Sequence, residues 1–372
     1  MKILLVANYV PDRQRSMARY AEMLHSELLK RGYSTEMIRP VPVVTRAVTQ
    51  SNKLFRWLAY IDKYILFPPL LWLRARRFDL VHVCDHSNSM YLRWTGRTPR
   101  LITAHDALAI RSAFGHFPQN PTRSSGKVLQ RWILRSLRHA DRIICVSEKT
   151  RSDFSALLPG GPLMTVVLNS PSSSFYPASA AEVSRMRAGL GLLPEDKYLL
   201  HVGKDNWYKN RPGVLRIMAE LRKGGRFSKV KLVMAGGPLS TSLRQVAPDL
   251  QGVVECIAPT DDQLRALYTG ALALLFPSLE EGFGWPILEA QACGCPVITT
   301  ARPPMSEVAG SAAILIDPAD TPGAAHIIIS RVNELDLLRT AGLQNARAYS
   351  IENAMTKICA VYNDLVPGAP SA

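Results

Sequence analysis

Twenty-five residues, FPSLEEGFGWPILEAQACGCPVITT from Phe276 to Thr300, constrain this chain more than any other stretch. An apolar run from Ala271 to Phe276 reads as a strand. Pro277 to Gly284 gathers turn formers, Pro286 suits the first turn of a helix, and the stretch closes on a second strand. Strand, loop, helix and strand in that order form a unit of an α/β sheet. Gly282 and Gly284 remove side chains where backbone must come close, and a helix opening there aims unpaired N–H groups and a partial positive charge at whatever binds. Most such turns are only tight connections, so a phosphate site and a plain turn both stay open on this stretch alone. Two carboxylates frame the helix start, Glu281 in the loop and Glu289 one turn inside, with seven residues between them. Carboxylates accept hydrogen bonds without donating them, so beside a phosphate they suit sugar hydroxyls. A nucleotide sugar offers both groups.

The chain has 372 residues, 47% of them hydrophobic, enough for two domains with separate cores. Cys84, Cys145 and Cys256 lie in apolar strand-like runs, Cys293 and Cys295 flank Gly294, and Cys359 sits in the last helical pattern. None has the spacing of zinc ligands, so reduced buried thiols and no metal site are expected, as in a cytoplasmic protein. Met1 leads directly into KILLVANYV, a first strand, with no signal peptide visible. The longest apolar run, YILFPPLLWL from Tyr64, holds two prolines and has about half of the roughly 20 residues that a membrane span requires. A soluble or peripheral protein is expected. Charge is lopsided: residues 1 to 172 carry 26 Lys and Arg against 11 Asp and Glu, and the remainder is neutral. A basic half recruits anionic lipid headgroups or an anionic glycan; nucleic acid is not expected, because no helix-turn-helix, zinc-finger or RNA-binding signature is present.

The pattern E-G-F-G-x-P-x-x-E-A-x-A-x-G-x-P-V-I, from Glu281 to Ile298, closely resembles the donor-site signature of the retaining glycosyltransferases of family 4. That resemblance implies the GT-B fold, two Rossmann-like doubly wound α/β domains facing each other across a cleft. It places a basic acceptor-binding domain at residues 1–172, a nucleotide-sugar domain at 173–350, and at 351–372 a helix crossing back to the first domain and then a tail.

In chain order, Lys2 to Tyr9 is a buried strand, and Met17 to Arg31 a helix with Met17, Tyr20, Ala21, Leu24 and Leu28 on one face. The loop between them, at a strand's carboxyl end, often carries paired glycines in the family; here it has Asp12, Arg13, Gln14, Arg15 and Ser16. Arg13 and Arg15 either meet an anion on the acceptor side or coat a solvated loop. Asn52 to Arg77 interleaves Trp57, Tyr60, Tyr64, Phe67 and Trp72 with Lys53, Arg56, Lys63, Arg74, Arg76 and Arg77. Such a helix suits a lipid headgroup boundary, and its apolar stripe also suits packing on the sheet. DLVHVCD, followed by His86 and Ser87, and then LITAHD are strands ending in polar residues. By resemblance, His105 lies between donor and acceptor sites and Asp106 positions it. Lys127 to His139 is a basic helix, DRIICVS from Asp141 a strand, Val166 to Asn169 the last strand of the domain, and Ser170 to Pro177 a linker.

In the second half, YLLHVG from Tyr198 is followed by KDNWYKN, where Lys204 and Lys209 stand five apart at a strand's carboxyl end and suit two phosphates. The family commonly has Arg at the first position; Lys204 keeps the charge without the planar fork. Ile257 and Ala258 are, by resemblance, backbone contacts for the base, with Thr260 or Asp261 capping the following helix. Glu307 falls in a recurrent family segment of structural character.

The resemblance implies a metal-independent, retaining hexosyltransferase without cofactor. It would move a mannose-, glucose- or N-acetylhexosamine-type sugar from a UDP- or GDP-linked donor to a glycan or lipid-linked acceptor, in bacterial cell-surface polysaccharide or glycolipid synthesis. Lys204, Lys209 and the backbone of Gly282, Phe283 and Gly284 would hold the diphosphate, Glu289 the ribose and Glu281 the sugar. The alternatives are a phosphorylase, which would need a pyridoxal lysine that no segment suggests, and a non-catalytic protein that binds an anionic surface. The expected location is cytoplasmic, peripheral on the inner face of the plasma membrane if the basic half meets lipid.

Overall fold

The computed structural model describes residues 1–49, 51, 52 and 54–368; Gln50, Lys53, the tail residues 369–372 and the side chain of Arg15 lie outside this description. The chain divides into two compact units. One is Met1–Leu168 with the segment from Ala354 onward, and the other is Asn169–Asn353.

The first unit is a six-stranded parallel sheet of β1 (Lys2–Val6), β2 (Ser34–Ile38), β3 (Leu80–Val83), β4 (Arg100–Ala104), β5 (Arg142–Cys145) and β6 (Leu163–Val166), in the spatial order β2-β1-β3-β4-β5-β6. Runs such as Ile3 to Val6 are apolar without alternation, and all four residues are completely buried. Only a sheet covered on both faces uses such runs. The register pairs Ile3 with Leu80 and Val6 with Val83. The second unit repeats the scheme with β7 (Tyr198–Gly203), β8 (Lys231–Gly236), β9 (Val253–Ile257), β10 (Ala273–Phe276), β11 (Val297–Thr300) and β12 (Ala313–Ile316), in the order β12-β11-β10-β7-β8-β9. Strand order reverses between β1 and β3 in one sheet and between β7 and β10 in the other, and ligands of open α/β sheets bind outside the carboxyl ends at such points. Two doubly wound units are what the GT-B resemblance implies.

Several boundaries differ from the sequence reading for physical reasons. The last strand of the first unit is Leu163–Val166 rather than Val166 to Asn169. It is an edge strand with Leu163 exposed, so it lacks the continuous buried run that marks central strands. The Asn52 to Arg77 segment is two helices, Phe55–Ile61 and Phe67–Ala75, joined by a widened π-turn at Asp62–Leu66. Pro68 and Pro69 follow at once; each lacks an N–H and crowds the carbonyl four residues back, which a wider turn relieves. Asp62 at that turn is buried, and accepts from Val44 N at 2.9 Å, Thr45 Oγ1 at 2.6 Å and Tyr9 Oη at 2.9 Å. Of the two candidate caps, Thr260 opens the helix Asp261–Gly270, because its hydroxyl accepts from Gln263 N while Gln263 returns to Thr260 N.

The C-terminal helix Ile351–Leu365 buries Ala354, Met355, Ile358, Val361 and Tyr362, spaced to form one face. Tyr362 Oη lies 2.8 Å from His82 Nδ1, and His82 Nε2 lies 2.8 Å from Thr103 Oγ1. A fully buried ring between two hydroxyls is best served neutral, and burial, reinforced by His105, lowers its pKa from 6.5 to about 3. Between those values the unfolded chain takes up a proton that the folded chain refuses. The stability that His82 contributes is therefore complete above pH 6.5 and is lost as pH falls toward about 3, by up to about 1.4 kcal/mol per pH unit. Urea midpoints measured on acidification should fall less steeply in His82→Gln, which keeps two hydrogen-bonding ends and cannot take up that proton; equal slopes would contradict the assignment.

Candidate active site

At the reversal point of the second sheet, the loops after β7 and β10 meet. Lys209 ends a short 3-10 turn, Trp207–Lys209, and its Nζ donates to Glu281 Oε1 at 2.7 Å. The ammonium also stands 4.7 Å from the Phe276 ring centre and 5.6 Å from that of Tyr208. Both charged side chains keep little exposure, 13% for Lys209 and 10% for Glu281. Asn210, in left-handed conformation at φ 51°, caps the next helix by accepting from Gly213 N and donates to Pro277 O at 3.0 Å. The two loops are thus joined by an ion pair and a hydrogen bond. Lys204, one residue past β7, is exposed.

The helix Trp285–Ala292 starts from Gly284 at φ 102°, with no side chain capping its first turn and Pro286 within that turn. Phe283 is buried against Trp285 and Tyr349, at ring separations of 5.5 and 6.1 Å. Its ring serves packing, which leaves backbone for any ligand. Gly282 is buried beside it. Glu289 accepts from Tyr268 Oη at 3.0 Å. That hydroxyl's pKa is pushed well above its ordinary value by burial and then by the nearby carboxylate. Ile257 is exposed; Ala258 sits at φ 48° and uses its N–H on Gly236 O at 2.8 Å. Only the carbonyl of Ala258 therefore remains for a base.

Glycine at 203 and 236 follows from crowding. A Cβ on Gly236 would come within 2.5 Å of Gly203 O, and one on Gly203 would meet the Lys209 stem at 3.2 Å and His201 Nε2 at 3.3 Å. His201 is buried, donates from Nδ1 to Leu275 O at 3.0 Å, and has no partner at Nε2. Burial foremost, and the nearby cations Lys209 and Arg211, lower its pKa to about 3. Arg211 is also fully buried and donates to Gly237 O at 2.8 Å and Pro238 O at 3.1 Å, fixing the loop after β8. Sequence reasoning passed over His201 and Arg211 because each stands in a segment that reads as plain strand or helix.

In the first unit, His105 follows β4 and is buried, with Nε2 2.9 Å from Cys84 O. A carbonyl only accepts, so Nε2 carries the proton and neutral Nδ1 is the acceptor. Burial is the main reason that the His105 pKa is lowered. Asp106 accepts from Leu108 N at 2.9 Å. Arg13 is exposed, in left-handed conformation at φ 54°. Arg15 opens the helix Arg15–Lys30, and its side chain lies outside the described residues. Beside His105 stand three groups to which the sequence reading gave no role: Asn8, Asp85 and His86. Among the described residues no cluster of three or more His, Cys, Asp and Glu is placed to hold a metal ion, and no helix is long and apolar enough to cross a membrane.

Two family models match successive parts of the chain: Glycosyltransferase Family 4 over residues 17–169 and Glycosyl transferases group 1 over residues 183–348. The O-antigen chain mannosyltransferase B of Escherichia coli is 28% identical over 388 residues, covering 97% of this chain and 99% of its own. Among solved structures, Anabaena Alr3699/HepE in complex with UDP superposes with a TM-score of 0.72 at 16% identity, over 98% of this chain and 100% of that one. The sucrose-phosphate synthase of Thermosynechococcus elongatus does so at 0.70 and 18%, over 99% and 100%. At these identities the two structures speak for the fold alone.

Gly203→Ala should push the Lys209 stem by a few tenths of an ångström, since a Cβ there would meet it at 3.2 Å. If Lys209 holds phosphate, this should weaken UDP or GDP binding about tenfold, because small misplacements in a preorganised site are costly. Calorimetric titration showing unchanged affinity would contradict that role for Lys209.

Proposed function

Because this chain belongs to the group 1 glycosyltransferases of family 4, with the GT-B fold, we propose that it transfers a hexose, with retention and without a metal ion, from a UDP- or GDP-linked donor to a glycan or lipid-linked acceptor. It is a glycosyltransferase of glycan synthesis; mannose-, glucose- and N-acetylhexosamine-type sugars define the donor range to test. The observation that carries this reading is the Lys209–Glu281 pair, at 2.7 Å, beside the uncapped start of the helix Trp285–Ala292. A cation and a helix N-terminus at one reversal point suit a departing diphosphate, and paired carboxylates suit the hydroxyls attached to it.

In this mechanism the diphosphate binds Lys209, Lys204 and the backbone at Gly282, Phe283 and Gly284. Negative charge that grows on the leaving group is stabilised by groups already in place. Glu281 orients Lys209 and accepts from the sugar; Glu289, steadied by Tyr268 Oη at 3.0 Å, accepts from the ribose. Ile257 and the Ala258 carbonyl border the base. In the first unit, His105, with Asp106 next to it, offers its Nδ1 lone pair to the acceptor, and Arg13 and Arg15 are assigned to the acceptor side. Holding donor and acceptor together supplies the orientation on which the rate depends.

A lipid-linked acceptor agrees with the surface of the first unit. Trp57, Ile65 and Leu73 are 68, 62 and 58% exposed, and Arg76 stacks on Trp72 at 3.5 Å. Tyr64 meets Trp132 of the basic helix Ser124–Leu137 at 5.2 Å, which joins two amphipathic segments on one side. Exposed aromatics among arginines match an anionic headgroup layer.

A thermal-shift screen with UDP, GDP, ADP and their sugars should give a rise for one nucleotide and its sugar. Turnover of that sugar should fall at least about a hundredfold in Glu289→Ala and in Lys209→Ala. The Lys209 change also strands Glu281, so it should lower the melting point as well, whereas Glu289→Ala should lower it less. No response to any activated sugar at millimolar concentration would refute the assignment. Sedimentation with anionic liposomes should exceed that with neutral ones and weaken with salt; equal recovery with both would refute the lipid contact.

A further inference from the structure

At the reversal point of the first sheet a single carboxylate is surrounded from two strands. Asp85 follows β3 and is 2% exposed. A charge left unpaired at such depth is strongly unfavourable. Its Oδ2 accepts from Ser87 Oγ at 2.6 Å and from Asn8 Nδ2 at 2.5 Å, across from the end of β1. Its Oδ1 accepts from Ser87 N at 3.0 Å and lies 3.2 Å from His86 Nδ1, an ion-pair distance without hydrogen-bond alignment. Asn8 also donates to Gln14, which precedes the helix Arg15–Lys30, so the contacts of Asp85 reach the loops after both strands. None of this is needed to pair β1 with β3, which their backbones accomplish from Ile3 to Val6.

Two imidazoles near this carboxylate stand in contrasting surroundings. His105 is tied through Nε2 to Cys84 O, the residue before Asp85, and is thereby an acceptor at Nδ1. His86 is 8% exposed, with its ring 5.5 Å from Phe154. Burial disfavours its cation, yet Asp85 and, more weakly, Asp106 outweigh this and raise its pKa, while burial lowers that of His105. Divergent neighbours of this kind mark a donor and an acceptor in one site. The buried Asn8 Oδ1 is also without a protein partner, so the cluster has hydrogen-bonding capacity that the fold does not use.

We propose that Asp85 is a positioning residue of the acceptor side: it holds His86 as a hydrogen-bond donor beside His105, which Cys84 O fixes as an acceptor, so that the two imidazoles together meet hydroxyls of the acceptor sugar. A hydroxyl both donates and accepts, so one imidazole of each kind satisfies it. This inference rests on the glycosyl-transfer reading and adds residues that the family pattern did not supply.

In the intact protein with 15N-labelled histidine, the ring nitrogen shifts of His86 and His105, assigned with His86→Gln, should separate on titration. His86 should stay protonated to higher pH than a free imidazole, and His105 should remain the Nε2–H neutral form. In Asp85→Asn the His86 transition should move to lower pH, and transfer from the donor found in the nucleotide screen should fall about a hundredfold. The melting shift given by UDP or GDP should persist, because those contacts lie in the other unit. Two histidines titrating together in the wild type, or Asp85→Asn with wild-type kcat, would overturn the inference even where that variant is hard to fold. Failure of the functional reading would look different: the wild type would consume no donor at all.

Discussion

A strand buried on both faces has no side of its own to offer a ligand, and that constraint governs this chain. Both sheets are parallel and sheathed, so polar residues inside the strands, such as His82 and His201, are sealed from solvent, and those left to meet a ligand stand at strand ends and in the loops that leave them. The ends gather most closely where strand order reverses. In the second unit this brings Lys209 to Glu281 at 2.7 Å; in the first it brings Asn8 to Asp85. Reactive groups far apart in sequence meet because the sheet permits chemistry nowhere else.

The pairing of Lys209 with Glu281 alters how each residue should be understood. In the sequence they look like separate instruments, one for phosphate and one for sugar. Folded, they are a nearly buried ion pair, and such a pair is strongly unbalanced by the loss of either member. Under the proposed function, a phosphate entering here would draw on a cation whose place is already fixed, which would lower the ordering cost of binding. The crowding at Gly203, where the Lys209 stem and His201 occupy the space of a side chain, serves the same end.

Much of this was legible in the residues. Continuous apolar runs marked the central strands, and the spacing of Gly282, Gly284, Glu281 and Glu289 marked the helix start that they frame. What escaped lacked a local signal. The strand Leu163–Val166 is an edge strand without a fully buried pattern, and the π-turn at Asp62–Leu66 depends on two prolines acting backward on the turn before them. Asp85 and His86 were visible as polar residues ending a strand, but the cluster they form includes Asn8, which stands 77 residues away from Asp85. Arg211 and His201 are ordinary members of a helix and a strand until burial makes their hydrogen bonds obligatory.

The partnership of His82 with Tyr362 spans 280 residues, and it has a bearing on biosynthesis. A nascent chain emerging from the ribosome can lay down all six strands of the first sheet long before the helix that covers His82 has been translated. Closing so long an intervening loop adds little entropic penalty, since that penalty grows only logarithmically. The order of events is nonetheless set: the first unit cannot be completed until the helix Ile351–Leu365 has been made.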